Sequence, residues 1–134
     1  MEERSTLLVC TRCRAAGDSP DAPRAGLTLL GVVQAAASGT GLRVAGVACL
    51  SGCKRGCVAA LMAPGKVGYL FGDLPADAAG AADLLAVARA HGARADGFLP
   101  RADRPERLRG GILARLPPLH WVAEDVQEAV RWPA

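Results

Sequence analysis

The sequence predicts an α/β domain, and three observations carry that expectation. Short runs rich in Val and Leu, Ser5–Val9 and Leu42–Ala48, alternate with a longer run of helical period. Val58–Met62 and Val67–Phe71 flank Ala63-Pro64-Gly65-Lys66, two β-prone runs about a Pro-Gly turn. The chain has 134 residues, 51% of them apolar, which suits one domain with a core of its own.

In chain order, Ser5 to Val9 reads as a buried strand running into Cys10. A polar loop with Gly17, Asp18, Pro20 and Pro23 follows. From Leu27 to Ser38 the period turns helical, with Leu29, Val32, Val33 and Ala36 as the apolar stripe and Gly39 and Gly41 as the stop. Leu42 to Ala48 is a second strand that delivers Cys49, and the hairpin comes next. Asp73 and Pro75 stand where a second helix is capped and started; Ala81, Leu84, Leu85 and Ala88 form its stripe, and Gly92 ends it. Pro105 to Leu116 reads as a short helix carrying Leu108, Ile112 and Leu116, stopped by Pro117-Pro118. Val122, Val126 and Val130 suggest a last amphipathic helical segment.

A β-α-β unit, a hairpin and a covering helix follow the order of a thioredoxin-like α/β layer. The expected organisation is a cysteine-rich domain over residues 1–116 and a C-terminal extension, 117–134, packed on it. The net charge is only +3 and the basic residues are scattered, so the basic stripe and aromatic stacking of a nucleic-acid binder are missing. No apolar run reaches the ~20 residues of a membrane span, and the acidic start of the chain does not read as a secretory signal. A cytoplasmic protein is expected.

All five cysteines are Cys10, Cys13, Cys49, Cys53 and Cys57. Close thiols in a reducing compartment bind metal or do redox chemistry more often than they form structural disulfides. Gly52 and Gly56 weaken both helix and strand across the second group and favour a tight loop approaching something bulky. Cys10 and Cys49 both end strands, so parallel pairing of those strands would bring their loops to one end of the sheet. Thiolates gathered there suit zinc or an iron–sulfur cluster alike, and spacing does not choose between them.

Cys49-Leu50-Ser51-Gly52-Cys53-Lys54-Arg55-Gly56, followed by an apolar strand and a Pro-Gly hairpin, resembles the Cys-Leu-Gly-x-Cys-x-x-Gly-Pro loop of thioredoxin-like [2Fe–2S] ferredoxins. Those include cluster subunits of some hydrogenases and NADH dehydrogenases. Residues 5 to about 116 also resemble a bacterial family of uncharacterised, predicted metal-binding proteins. The shared features are the early Cys-x-x-Cys, the Cys-Leu-Ser-x-Cys-x-x-Gly-Cys loop, Ala63-Pro64-Gly65-Lys66 and Phe71-Gly72-Asp73-Leu74. The genes of that family often stand beside cobalamin-synthesis and cobalt-handling genes. The ferredoxin resemblance implies Cys10, Cys49 and Cys53 as ligands. Cys13 falls earlier than the ferredoxin spacing and Cys57 replaces a proline. The expected ligand set is Cys10, Cys13, Cys49 and Cys53, with Cys57 as an alternative ligand or a thiol just behind them. Arg12, Gly52, Lys54, Arg55 and Gly56 would lie closest to the cofactor.

The function expected is that of a small soluble [2Fe–2S] electron carrier, not an enzyme, serving a redox partner protein and through it cobalt or cobalamin metabolism. A site for Zn2+ or Co2+ without redox chemistry is the alternative. A Cys10–Cys13 dithiol oxidoreductase is a third reading, although no helix follows Cys13 directly to activate the thiol. A homodimer is compatible with the sequence. Basic residues near the thiols would raise a cluster's potential or meet an acidic partner. His91 falls at a helix end, where a cationic or hydrogen-bonded imidazole is favoured, and His120-Trp121 reads as a packing corner.

Overall fold

The computed structural model describes residues 5–15, 17–121 and 132. β1 (Thr6–Cys10) and β2 (Arg43–Val47) pair in parallel, joined by α1 (Ala25–Ala37). β3 (Ala59–Met62) runs antiparallel to β1, and β4 (Gly68–Phe71) antiparallel to β3. With β5 (Ile112–Leu116) added antiparallel to β4, the sheet order is β2-β1-β3-β4-β5. α2 (Ala78–Ala93) packs beside α1, and both helices contact β1. The mixed α/β architecture, the β-α-β unit and the hairpin agree with the sequence expectation.

The core lies between the helices and the inner face of the sheet. Leu7 and Val9 alternate inward on β1, as period-two patterning requires. They meet Leu29 and Val33 of α1 and Leu84, Val87 and Ala88 of α2 in one apolar cluster. Burying a side chain of this size stabilises the fold by roughly 1.5–3 kcal/mol. Tyr69 and Phe71 stack along β4 with ring centres 5.8 Å apart.

Several local expectations shift. The buried stripe of α1 is Ala25, Leu29, Val33 and Ala37, a strict i, i+4 row; Ala36 is exposed and Val32 half-buried. Asp77, rather than Asp73, caps α2, its Oδ1 accepting from Ala79 N (3.0 Å) and Gly80 N (3.1 Å). Two orphan N–H groups of the first turn are satisfied this way. Asp73 instead takes φ +58° at the end of β4 and pairs with Arg55. α2 runs past Gly92 to Ala93; Val87 and His91 join its buried stripe, and Leu85 is only half-buried.

The largest correction concerns 105–116. A five-residue helix, α3 (Glu106–Gly110), buries Leu108 and stops at the glycine pair, after which Ile112–Leu116 becomes β5. The free edge of β4 accounts for the switch. Its unpaired backbone groups need partners, and Leu70 pairs Ala114 while Tyr69 pairs Arg115. The expected helix around Val122, Val126 and Val130 lies outside the described residues. Trp121 and Trp132 meet at 5.9 Å between ring centres, and Trp132 stands 6.4 Å from Phe98.

Candidate functional site

The thiols come from three corners at one end of the sheet. β1 and β2 run in parallel to that end, and antiparallel β3 starts there, with Val9 opposite Ala59. Cys10 closes β1, its N–H donating to Val58 O at 3.0 Å; Thr11 N donates to Val47 O at 2.8 Å. These two bonds hold the entry to β3 and the exit of β2 on either side of Cys10. The segment after β2 carries Cys49 and a 3-10 turn, Cys53–Arg55, and Cys57 lies just before β3.

Close backbone approach explains two of the glycines. A Cβ on Gly26, in the first turn of α1, would stand 2.0 Å from Cys10 O, so only glycine lets the helix reach the strand end. Gly26 N donates to Cys13 O at 3.0 Å, tying the Cys-x-x-Cys turn to the helix. A Cβ on Gly56 would lie 3.3 Å from Cys13 Cβ and 3.5 Å from its Sγ, so the second cysteine segment passes directly over the first.

Packing divides the five thiols. Cys10, Cys13 and Cys57 are each 1% exposed, whereas Cys49 and Cys53 are exposed. Burial pushes the Cys10 thiol up, but a hydrogen bond from the Cys13 thiol and backbone N–H bonds from Leu50, Arg12 and Cys13 outweigh it and leave Cys10 below the usual thiol value. Burial and donation to Cys10 push Cys13 up to about 12. Cys57 is also raised, by burial and then by the proximity of Cys10 and Asp18. Cys49 Sγ, on the outside, accepts from Ser51 N at 3.2 Å, with Ser51 at φ +59°.

The basic residues differ in what they are free to do. Arg55 donates Nε to both carboxylate oxygens of Asp73, at 2.9 and 2.8 Å, and Nη2 also bonds Asp73 Oδ2. Its charge is thereby spent locally, and Asp73 N fastens to Arg55 O at 2.6 Å. Arg12 and Lys54 are exposed beside the thiols. The role of the 14–24 loop in bringing Asp18 towards Cys57 is absent from the sequence reading, since no spacing rule links those positions.

In donor chemistry the group fits a soft metal or an iron–sulfur centre: five thiols serve one end of the sheet, and the pKa of one of them, Cys10, is lowered despite its burial. In arrangement it is not preassembled, because among the described residues no three Cys, His, Asp or Glu side chains stand in metal-holding geometry. The buried trio Cys10, Cys13 and Cys57 is closer-knit than the expected quartet. A cleft of about 600 Å³, lined by Ser5, Thr40, Leu42, Pro64, Lys66 and Arg89 among others, opens at the opposite end of the sheet, away from the thiols.

His91 is fully buried and takes the hydrogen-bonded rather than the cationic form of the two expected at that helix end. Burial lowers its pKa and favours the neutral imidazole, in which Nε2–H donates to Val67 O at 2.7 Å and Nδ1 accepts from Ser5 Oγ at 2.6 Å. His120 and Trp121 meet edge to face at 6.3 Å, the corner that the sequence suggested.

A family model described as "Protein of unknown function (DUF1636)" matches residues 7–118. No curated protein and no solved structure matches the chain.

Proposed function

For a chain that belongs to the DUF1636 family of proteins of unknown function, we propose the role of a thioredoxin-like, cysteine-ligated [2Fe–2S] carrier of single electrons. The observation that carries this reading is the convergence of three cysteine-bearing corners on one sheet end, tied together by Cys10 N donating to Val58 O at 3.0 Å and Thr11 N to Val47 O at 2.8 Å. The ligands would be Cys10, Cys13, Cys49 and Cys53, with Cys57 behind them or substituting for one. A cluster held there takes up and returns one electron without a substrate pocket.

The chain itself supplies three things. Backbone N–H groups of Arg12, Cys13 and Leu50 favour the thiolate form of Cys10, the form that ligates metal. The strand and helix ends fix the Cys10–Cys13 turn through Gly26, so that half of the site is rigid. The exposed loop with Cys49, Cys53 and Lys54, together with Arg12, gives an electropositive contact surface for an acidic redox partner. The family resemblance points to cobalt or corrin metabolism for that partner. Reduced thiols suit the cytoplasm, and among the described residues no helix is long and apolar enough to cross a membrane.

Purification under anaerobic conditions, followed by metal and acid-labile sulfide analysis, tests the proposal. Iron and sulfide in equal amounts, with visible absorption that bleaches on dithionite, is the expected result. Zinc or cobalt without sulfide would replace it with the metal-binding reading. A second reading, the Cys10–Cys13 dithiol, is favoured by the hydrogen bond between those two thiols. Metal-free protein with one reversibly oxidised pair would establish it instead.

A further inference from the structure

On the opposite edge of the sheet from β2, the charges of Arg115 and Arg104 act on the buried Tyr69, and Arg101 stands beside Arg104. Arg101 Nη1 and Arg104 Nη1 both donate to Arg109 O, at 3.1 and 3.3 Å, which sets the two guanidinium groups side by side at the C-terminus of α3. Arg104 also donates to Leu108 O at 3.2 Å. Arg115 stands opposite Tyr69 in the β4–β5 register, so both side chains share one face of the sheet. The Arg115 guanidinium lies over the rings of Phe98 and Trp132, 5.8 and 4.2 Å from their centres.

The hydrogen-bonding capacity of this group is incomplete. Arg104 Nε is buried and has no hydrogen-bond partner, the sole such side-chain atom among the described residues. Tyr69 is buried, and its hydroxyl accepts from Leu99 N at 2.8 Å, which leaves the phenolic proton without an acceptor among the described residues. Buried donors in native proteins are nearly always satisfied. The charge is equally unbalanced: the guanidinium groups of Arg101, Arg109 and Arg115 all act on Arg104, and with burial they lower its pKa. Asp96, the acid that acts on Tyr69, is already paired with Arg94 at 3.4 Å, and Asp83 is engaged by Arg107.

We propose that Arg101, Arg104, Arg115 and the Tyr69 hydroxyl form a binding site for a small tetrahedral oxyanion of the phosphate type. Several donors converging from different directions suit a tetrahedral group better than a planar carboxylate. Guanidinium groups are the favoured partners of such oxyanions because their donors form a fixed fork. A dianion would also offset the mutual repulsion of the arginines. The site is separate from the thiols and does not depend on any metal bound there.

Calorimetric titration of the purified full-length chain with inorganic phosphate, in a chloride buffer of matched ionic strength, tests the assignment. Saturable binding is expected, with sulfate competing and added chloride having no effect. Arg101→Gln, on the exposed rim, and Arg104→Gln should each weaken binding at least tenfold, because each removes a charge-assisted hydrogen bond. Arg43→Gln, on the distant strand β2, should leave it unchanged. If Arg104→Gln does not fold, Arg101→Gln carries the comparison. Absence of saturable binding, an undiminished affinity in Arg101→Gln, or an equal loss in Arg43→Gln would overturn the proposal.

Discussion

The backbone N–H of Thr11 donates to Val47 O at 2.8 Å, 36 positions later in the chain. This bond ties the residue after β1 to the last residue of β2, and it exists only because those two strands lie in parallel. Burial raises the neighbouring Cys10 thiol, but the Cys13 thiol and the backbone of Leu50, Arg12 and Cys13 outweigh it and leave Cys10 below the usual thiol value. A sulfur so surrounded is prepared to carry negative charge, as a thiolate or as a ligand.

Serine substitution separates the roles of the thiols. If the proposed [2Fe–2S] site is right, Cys10→Ser and Cys49→Ser should each remove most of the iron and sulfide, whereas Cys57→Ser retains both. Iron content and visible absorption of anaerobically prepared variants measure this. Loss of iron in Cys57→Ser with retention in Cys13→Ser would place Cys57 among the ligands, consistent with its burial beside Cys13.

His91 should make stability fall with acid. Burial, and then the Lys66 charge, lower its pKa below the usual 6.5, while the Val67 carbonyl and Asp96 oppose that shift. The unfolded chain therefore binds the proton first as pH drops. The contribution is complete above pH 6.5 and is lost progressively below it. Urea unfolding at about pH 5 and about pH 7.5 reads the difference. In His91→Gln the chain should be weaker at both values, and this part of the acid loss should disappear.

Two glycines of α1 should respond in opposite directions to alanine. Gly26→Ala places a methyl group 2.0 Å from Cys10 O, a backbone atom that cannot step aside, and should cost at least the roughly 1–3 kcal/mol of overpacking. Gly31→Ala meets nothing within 4 Å in the same helix and should gain up to about 1 kcal/mol from helix propensity. Thermal unfolding midpoints of the pair check both signs. A Gly26→Ala protein as stable as the native chain would contradict the close approach of α1 to Cys10.

Asp77→Ala should destabilise the fold by about 1 kcal/mol, the usual worth of an N-cap, because Ala79 and Gly80 lose their acceptor. Asp77→Asn should recover most of the loss, since its side-chain oxygen can accept the same bonds. Chemical denaturation with an unchanged m-value is the measurement.

Local pattern was enough for much of this chain. The runs around Leu7 and Leu61, the helical stripe holding Leu29 and Val33, and the Pro64-Gly65 turn each declare themselves within a few residues, because propensity and apolar period are short-range properties. The spacing of the five cysteines likewise raises the expectation of a soft-ligand site from sequence alone. Tertiary structure decided the rest. Ile112, Leu113 and Leu116 carry an apolar pattern that fits helix or strand, and only the unpaired edge of β4 selects β5. Sequence could not foresee that Cys57 would be buried with Cys10 and Cys13 while Cys49 and Cys53 face outward, nor that Arg104 Nε would be buried without a hydrogen-bond partner among the described residues. Burial and hydrogen-bond satisfaction are set by partners distant in sequence, and spacing along the chain does not encode them.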